Sequence, residues 1–270
     1  MTKTELLNKC ARDGEERVLL ARALDKLELA RDRGVPAHTQ FLSPAQQASL
    51  SDLLAACGHP RHFFFGGYEG AERQICVFLP DWQEQEDWLR DPDGCLSALR
   101  CTFPRDARLT HRDILGSLMG LGITRELLGD ILQGEDGWHL LAMTDAVPIL
   151  LSQWESAGRW KVRLDSIALS ALTVAPPQVR TIRDTVATLR LDAVLASGFS
   201  LSRGKAADLV SAGRVSLNHR ECTKCDRAVT QGDVLTCRGL GKCVVTEVQG
   251  QSRKGRILIV LERYIYRSLL

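Results

Sequence analysis

The sequence predicts an α+β protein in three parts: an N-terminal helical region over 1–60, a split βαβ middle domain of ferredoxin-like topology over 61–172, and a C-terminal domain over 181–270. A proline linker at 173–180 separates the last two. Three observations carry this. Apolar residues recur at helical spacing before residue 60. From Leu96 onward the strand and helix signals run β-α-β-β-α-β. Beyond Pro176-Pro177 the charge changes sign, and two short amphipathic helices precede a series of alternating segments, the pattern of two helices on a small antiparallel sheet.

A length of 270 residues suits two or three domains rather than one. Hydrophobic and charged fractions of 44% and 25% are those of a folded globular chain, which excludes a disordered or collagen-like protein. No apolar run approaches the roughly 18 residues of a membrane span. Met1-Thr2-Lys3-Thr4-Glu5 contains no signal-peptide core. A cytoplasmic protein with no membrane partner is expected. Nine scattered cysteines fit reduced thiols better than a disulfide scaffold.

In the first region Val18, Leu19, Ala23, Leu24, Leu27 and Ala30 line one face of a helix that Gly34 and Pro36 end. Ser43 as N-cap and Pro44 at the first helical position open another, running through Leu50, Leu53 and Leu54 to Gly58.

In the middle region 62–65 and 74–79 read as strands around the Gly66-Gly67-Tyr68-Glu69-Gly70 turn. A strand over 96–103 and a Thr110-capped helix over 110–121 follow. Strands over 126–133 and 138–143 pair around Gly134-Glu135-Asp136-Gly137. A helix over 145–157 ends at Gly158, and 160–167 alternates like a strand. The topology is RRM-like. RRM modules stack bases on aromatics of two central strands, and here the strand over 138–143 offers only Trp138, at its edge. His111 reads as a solvent-facing or capping residue.

The net charge of +2 hides an asymmetry. Residues 1–180 carry 20 Lys and Arg against 25 Asp and Glu, whereas residues 181–270 carry 15 against 8. A basic final third on an acidic body is expected when one module meets phosphate.

That final third opens with a helix over 190–198, with Leu191, Val194 and Leu195 on one face, Asp192 in its first turn and Gly198 at the C-cap. Ser202 caps a second helix whose core face is Ala206, Leu209 and Val210 and which Gly213 closes. Its first turn carries Arg203 and Lys205. Cations at the positive end of a helix cost about 0.3–1 kcal/mol each, and an external anion would offset that cost. A short strand over 215–217 lies between Arg214 and Asn218. Strands over 233–238, 242–248 and 256–263 follow, the last after the polar loop 250–255.

Arg190-Leu191-Asp192, Ser202-Arg203-Gly204-Lys205-Ala206, Leu209-Val210, Gly213-Arg214-Val215 and Asn218 together resemble the S-four RNA-binding domain, or αL motif, over about 188–250. The resemblance places an RNA-facing surface on Arg190, Ser202, Arg203, Lys205, Arg214 and Asn218, extended by Lys224 and Arg238. The whole chain resembles the YlmH family of bacterial and plastid proteins. Residues 65–73 and 111–122 are similar to that family's middle-domain segments. The resemblance implies an RRM-like middle domain and binding of ribosomal RNA and of tRNA or peptidyl-tRNA on the large ribosomal subunit. It also implies a role in ribosome-associated quality control and the rescue of stalled nascent chains.

Three other readings compete. Cys222-x-x-Cys225 has zinc-ligand spacing, but Cys237 and Cys243 are too far apart to complete a site and fall on strands as packing residues, so no metal and no cofactor is expected. A pseudouridine synthase or methyltransferase carrying the same module would place a catalytic domain beside it. No nucleophile, base and orienting residue assemble here, no dinucleotide fingerprint is present and no enzyme is expected. The third reading is an adaptor whose acidic front binds protein and for which RNA is secondary.

Overall fold

The computed structural model describes residues 2–134, 137–172, 174, 177–251 and 255–265. Glu135 and Asp136 of the predicted turn, Thr173, Ala175 and Pro176 of the linker, and 252–254 of the polar loop lie outside the described residues. The chain divides into two compact units, Met1–Ala175 and Pro176–Leu270. Among the described residues no helix is long and apolar enough to cross a membrane.

The first unit opens with α1 (Lys3–Cys10) and α2 (Gly14–Arg33), followed by β1 (Ala37–His38), α3 (Pro44–Ala56), β2 (His62–Phe65) and β3 (Ile75–Phe78). Thr2 and Ser43 form capping boxes at α1 and α3, and Gly34 ends α2 in the left-handed conformation. The region is not wholly helical. β1 pairs with β3, which pairs with β2, all antiparallel. The strands expected at the start of the middle domain therefore join a sheet with the N-terminal region. A two-residue strand such as β1 is too short to show alternation in sequence.

The unit continues with α4 (Gln85–Leu89), β4 (Leu96–Thr102), α5 (His111–Gly120), β5 (Leu128–Gln133), β6 (Trp138–Met143), α6 (Val147–Gln153), β7 (Ser156–Ala157), β8 (Trp160–Lys161) and β9 (Arg163–Ile167). The sheet order β5-β6-β4-β9 is antiparallel throughout, the ferredoxin-like arrangement that the sequence predicts. The second helix is shorter than expected. It stops at Gln153 because Trp154 turns into the core, packs on Phe103 and donates its indole N–H to Ser117 Oγ at 3.0 Å. The chain then makes a β7–β8 hairpin across Gly158, whose φ of 58° suits the turn.

The two faces of this sheet meet different partners. Leu99, Cys101, Leu128, Leu140 and Ala142 pack under Ile114, Leu118, Leu150 and Trp154. The opposite face, Leu96, Ala98, Leu141 and Met143, is buried against Phe41, Ile75, Val77 and Trp88, with Phe63 and Phe65 beside them. Phe63 and Phe65 both meet the Trp88 ring edge-on, at centroid distances of 5.3 and 5.5 Å. The surface on which RRM modules stack bases is thus a core between two sheets.

A polar clamp fixes this stacking. Asp130 on β5 accepts hydrogen bonds from Tyr68 Oη, from Glu72 N–H (both 2.7 Å) and from Arg73 N–H (3.1 Å). The Arg73 guanidinium reaches the carbonyls of Leu128, Phe41 and Arg125. His111 lies half-buried near this group, and burial together with the Arg125 charge lowers its pKa.

The second unit contains β10 (Gln178–Val186), α7 (Leu191–Phe199), α8 (Arg203–Ser211), β11 (Val215–Leu217), β12 (Arg220–Glu221), β13 (Val234–Cys237), β14 (Gly241–Gln251) and β15 (Ile257–Ile265). They form one sheet, β10-β15-β14-β13-β11-β12, with a core that includes Leu191, Val194, Leu195, Ala206, Val210, Leu235, Val245, Ile259 and Leu261. The end of the proline linker is strand: β10 starts at Gln178 and pairs with β15 along its whole length, from Gln178 opposite Ile265 to Val186 opposite Ile257. Gly198 is not the C-cap of α7. The helix runs to Phe199, and Ser200 takes the left-handed position (φ 56°) while Leu201 N–H closes back on the Ala196 carbonyl. Gly198 lies inside the helix because a Cβ there would come within 2.8 Å of Cys243 Sγ on β14. Cys237 and Cys243 are both core residues, and all nine cysteines are unpaired thiols.

Candidate nucleic-acid interface

The N-terminal ends of α7 and α8 carry three of the six cations that the sequence singles out, and they differ in access. At α7, Arg190 is the N-cap without a side-chain cap bond. The first N–H groups are taken by a loop: Leu191 donates to the Arg227 carbonyl at 2.9 Å and Asp192 to the Cys225 carbonyl at 3.2 Å. That loop also carries Lys224, which is exposed. This end of α7 is therefore closed to a ligand.

The α8 end is open. Ser202 spends its hydroxyl oxygen on the Lys205 N–H at 3.3 Å, as an N-cap does. The N–H groups of Arg203 and Gly204 have no protein acceptor among the described residues. Arg203 and Lys205 are exposed around them, which leaves the positive end of α8 surrounded by cations.

One buried carboxylate connects the two ends. The Asp192 side chain is 6% exposed and accepts from Arg190 Nε at 3.1 Å and Nη2 at 3.3 Å. Arg203 Nε adds a third bond at 3.3 Å. Burial opposes ionisation of Asp192, but the guanidinium bonds outweigh it and hold its carboxyl below the ordinary value. In sequence Asp192 reads as a favourable charge in a first helical turn. Its larger role, orienting two arginines, depends on a partner eleven residues away, and the Arg190-x-Asp192 spacing is the only local sign of it.

A second group lies beyond the far end of α8. Arg214 donates from Nη2 to the Arg238 carbonyl at 3.0 Å, and Arg238 N–H returns a bond to the Arg214 carbonyl at 2.9 Å. Gly213, at φ 66°, makes the turn into Arg214, and a Cβ there would meet Glu221 Oε1 at 2.9 Å. Asn218 has a structural role: with His219 it forms the left-handed turn between β11 and β12. Its amide donates to Asp233 Oδ1 at 2.8 Å and accepts from Val234 N–H at 2.9 Å.

The structure thus brings Arg190 and Arg203 together on Asp192, with Lys205 in the same first turn of α8, and Arg214 with Arg238 at another place. The nine residues of α8, roughly 13 Å of helix, lie between them. Lys205, Arg214, Lys224 and Arg238 have no ion-pair partner among the described residues. Two groups of cations spaced along a rigid helix suit separate phosphates of a folded nucleic acid better than one small anion. A cleft of about 570 Å³ beside Arg203, lined also by Asp184, Ser197, Ser200 and Arg256, widens the first place.

Residues 96–171 match the family described as the RNA-binding domain in YlmH, and residues 189–235 match the S4 domain. The chain is 32% identical over 250 residues to the ribosome-associated protein quality control protein P2 of Bacillus subtilis (strain 168), covering 92% of this chain and 95% of that protein. A solved structure, the cell division protein ylmH from Streptococcus pneumoniae, aligns with a TM-score of 0.47 at 24% identity, over 58% of this chain and 94% of that one.

Proposed function

The chain belongs to the YlmH family of S4-domain RNA-binding proteins, and from that premise we propose that it is a non-catalytic factor that binds the ribosome. Its C-terminal cations hold ribosomal RNA of the large subunit together with tRNA or peptidyl-tRNA, and it acts in the rescue of stalled nascent chains; its Bacillus relative is named a ribosome-associated protein quality control protein. The observation that carries this reading is the pair of arginines braced by Asp192 beside the open end of α8. A brace of this kind fixes guanidinium groups in advance, so less side-chain freedom is lost on binding. It also argues for a binder over an RNA-modifying enzyme, since Asp192 is committed to the arginines and 6% exposed.

The test is co-sedimentation. Arg203→Ala, Lys205→Ala and Arg214→Ala combined should leave the thermal unfolding of the protein cooperative and abolish its recovery with large subunits at physiological salt. Retained recovery would refute the assignment of this surface.

A further inference from the structure

On the helix side of the middle sheet, α5 and the β7–β8 hairpin enclose a cleft of about 410 Å³. Arg108, Arg112 and Arg159 line it, all exposed and without an ion-pair partner among the described residues. The Arg159 guanidinium lies 4.7 Å from the centroid of the half-buried Trp160 ring. Asp113 is the acid in this lining, and its Oδ2 already accepts the N–H and hydroxyl of Thr110, each at 2.8 Å. Ser117 is held by its bonds to the Trp154 indole and the Ile114 carbonyl, so that wall is fixed. Gly116 and Gly158 leave the cleft open, since a Cβ on either would meet nothing within 4 Å.

We propose that this cleft is a second RNA contact, taking an unpaired nucleotide with its base on the Arg159 guanidinium that lies over the Trp160 ring and its phosphates on Arg108 and Arg112. Cations alone would suit any polyanion. A guanidinium held over an indole adds a flat surface for a planar group, and unpaired bases present their faces where paired ones do not. The sheet face that RRM modules use for stacking is buried here, so a base contact by the middle domain needs another place. The inference uses the reading of the chain as an RNA binder but not the C-terminal surface, and its test separates the two.

The full chain carrying Arg203→Ala, Lys205→Ala and Arg214→Ala serves as the background. Fluorescence anisotropy with a labelled oligoadenylate of about ten nucleotides at low salt should show residual binding. Adding Arg108→Glu, Arg112→Glu and Arg159→Glu should weaken that residue at least 10-fold. Trp160→Ala should weaken it about 10-fold, because the guanidinium that meets the base loses the ring beneath it, and Trp160→Phe should restore part of it. Thermal unfolding of each variant verifies the fold, and Trp160→Phe against the background replaces the alanine comparison if that variant unfolds. No residual binding, or residual binding indifferent to these changes, would overturn the proposal. So would equal competition by polyglutamate with no effect of Trp160→Ala, which would mark a plain anion patch. A failed C-terminal surface would show separately, as undiminished ribosomal RNA binding in the background variant.

Discussion

Arg203 Nε donates to Asp192 Oδ2 at 3.3 Å, tying the first turn of α8 to the first turn of α7 through a carboxylate that water barely reaches. The same carboxylate holds Arg190 by two bonds. The positions of both arginines therefore depend on a single ionised group, which adds a polar tie to the apolar packing of the two helices.

Replacing Asp192 with Asn should lower stability by about 1–2 kcal/mol at neutral pH, the scale of charge-assisted hydrogen bonds to partly exposed partners. The sign of the pH dependence follows from the depressed carboxyl. Its contribution is complete above the unfolded-state value of about 4 and is lost as pH falls through the lower folded-state value. Urea unfolding should show wild type and variant separated at pH 7 and converging below about pH 4. A gap that persists in acid would show that Asp192 acts through packing alone.

Binding to ribosomal RNA should weaken steeply with salt, and Lys205→Ala should reduce the slope of log affinity against log salt by about 0.7–0.9, one phosphate contact. Titrations at several salt concentrations measure it. A slope equal to that of wild type would remove Lys205 from the interface.

Gly198→Ala places a methyl group 2.8 Å from Cys243 Sγ and 3.4 Å from Leu261 Cδ1. Overpacking of this kind should cost about 1–3 kcal/mol. Cys243→Ala in the same chain should recover part of the loss, a coupling that a double-mutant cycle reads directly. Strict additivity would mean that the helix shifts away from β14 without strain.

A fragment of residues 90–172 lacks the layer that covers Leu96, Ala98, Leu141 and Met143. It should bind a hydrophobic dye and self-associate, whereas residues 1–172 remain monomeric in size-exclusion chromatography. A monomeric, dye-negative short fragment would contradict the two-sheet core.

Periodic and capped elements were readable from the chain alone: Ser43-Pro44 at α3, Thr110 at α5, and Ser202 with its neighbouring cations at α8. What escaped depends on distant partners. β10 carries Arg180, Thr181, Arg183, Asp184 and Thr185, with Ile182 and Val186 its residues packed on the core, so an edge strand resembles a polar linker. The early end of α6 follows from Trp154 meeting Ser117 and Phe103. The covered sheet face needed Phe63 and Phe65 to be placed on a separate sheet, and the brace at Asp192 needed the folded α7–α8 pair.

The antiparallel match of β10 with β15 has a consequence for how the C-terminal unit comes into being. Its opening strand can find its neighbour only after residues 257–265 have been synthesised, so the edge beside α7 stays unfinished while the intervening helices are already able to form. A nascent copy halted between α8 and β15 would hold the cation-bearing helices without the strand that completes their support. Competence to grip RNA then waits for β15 to emerge and pair with β10.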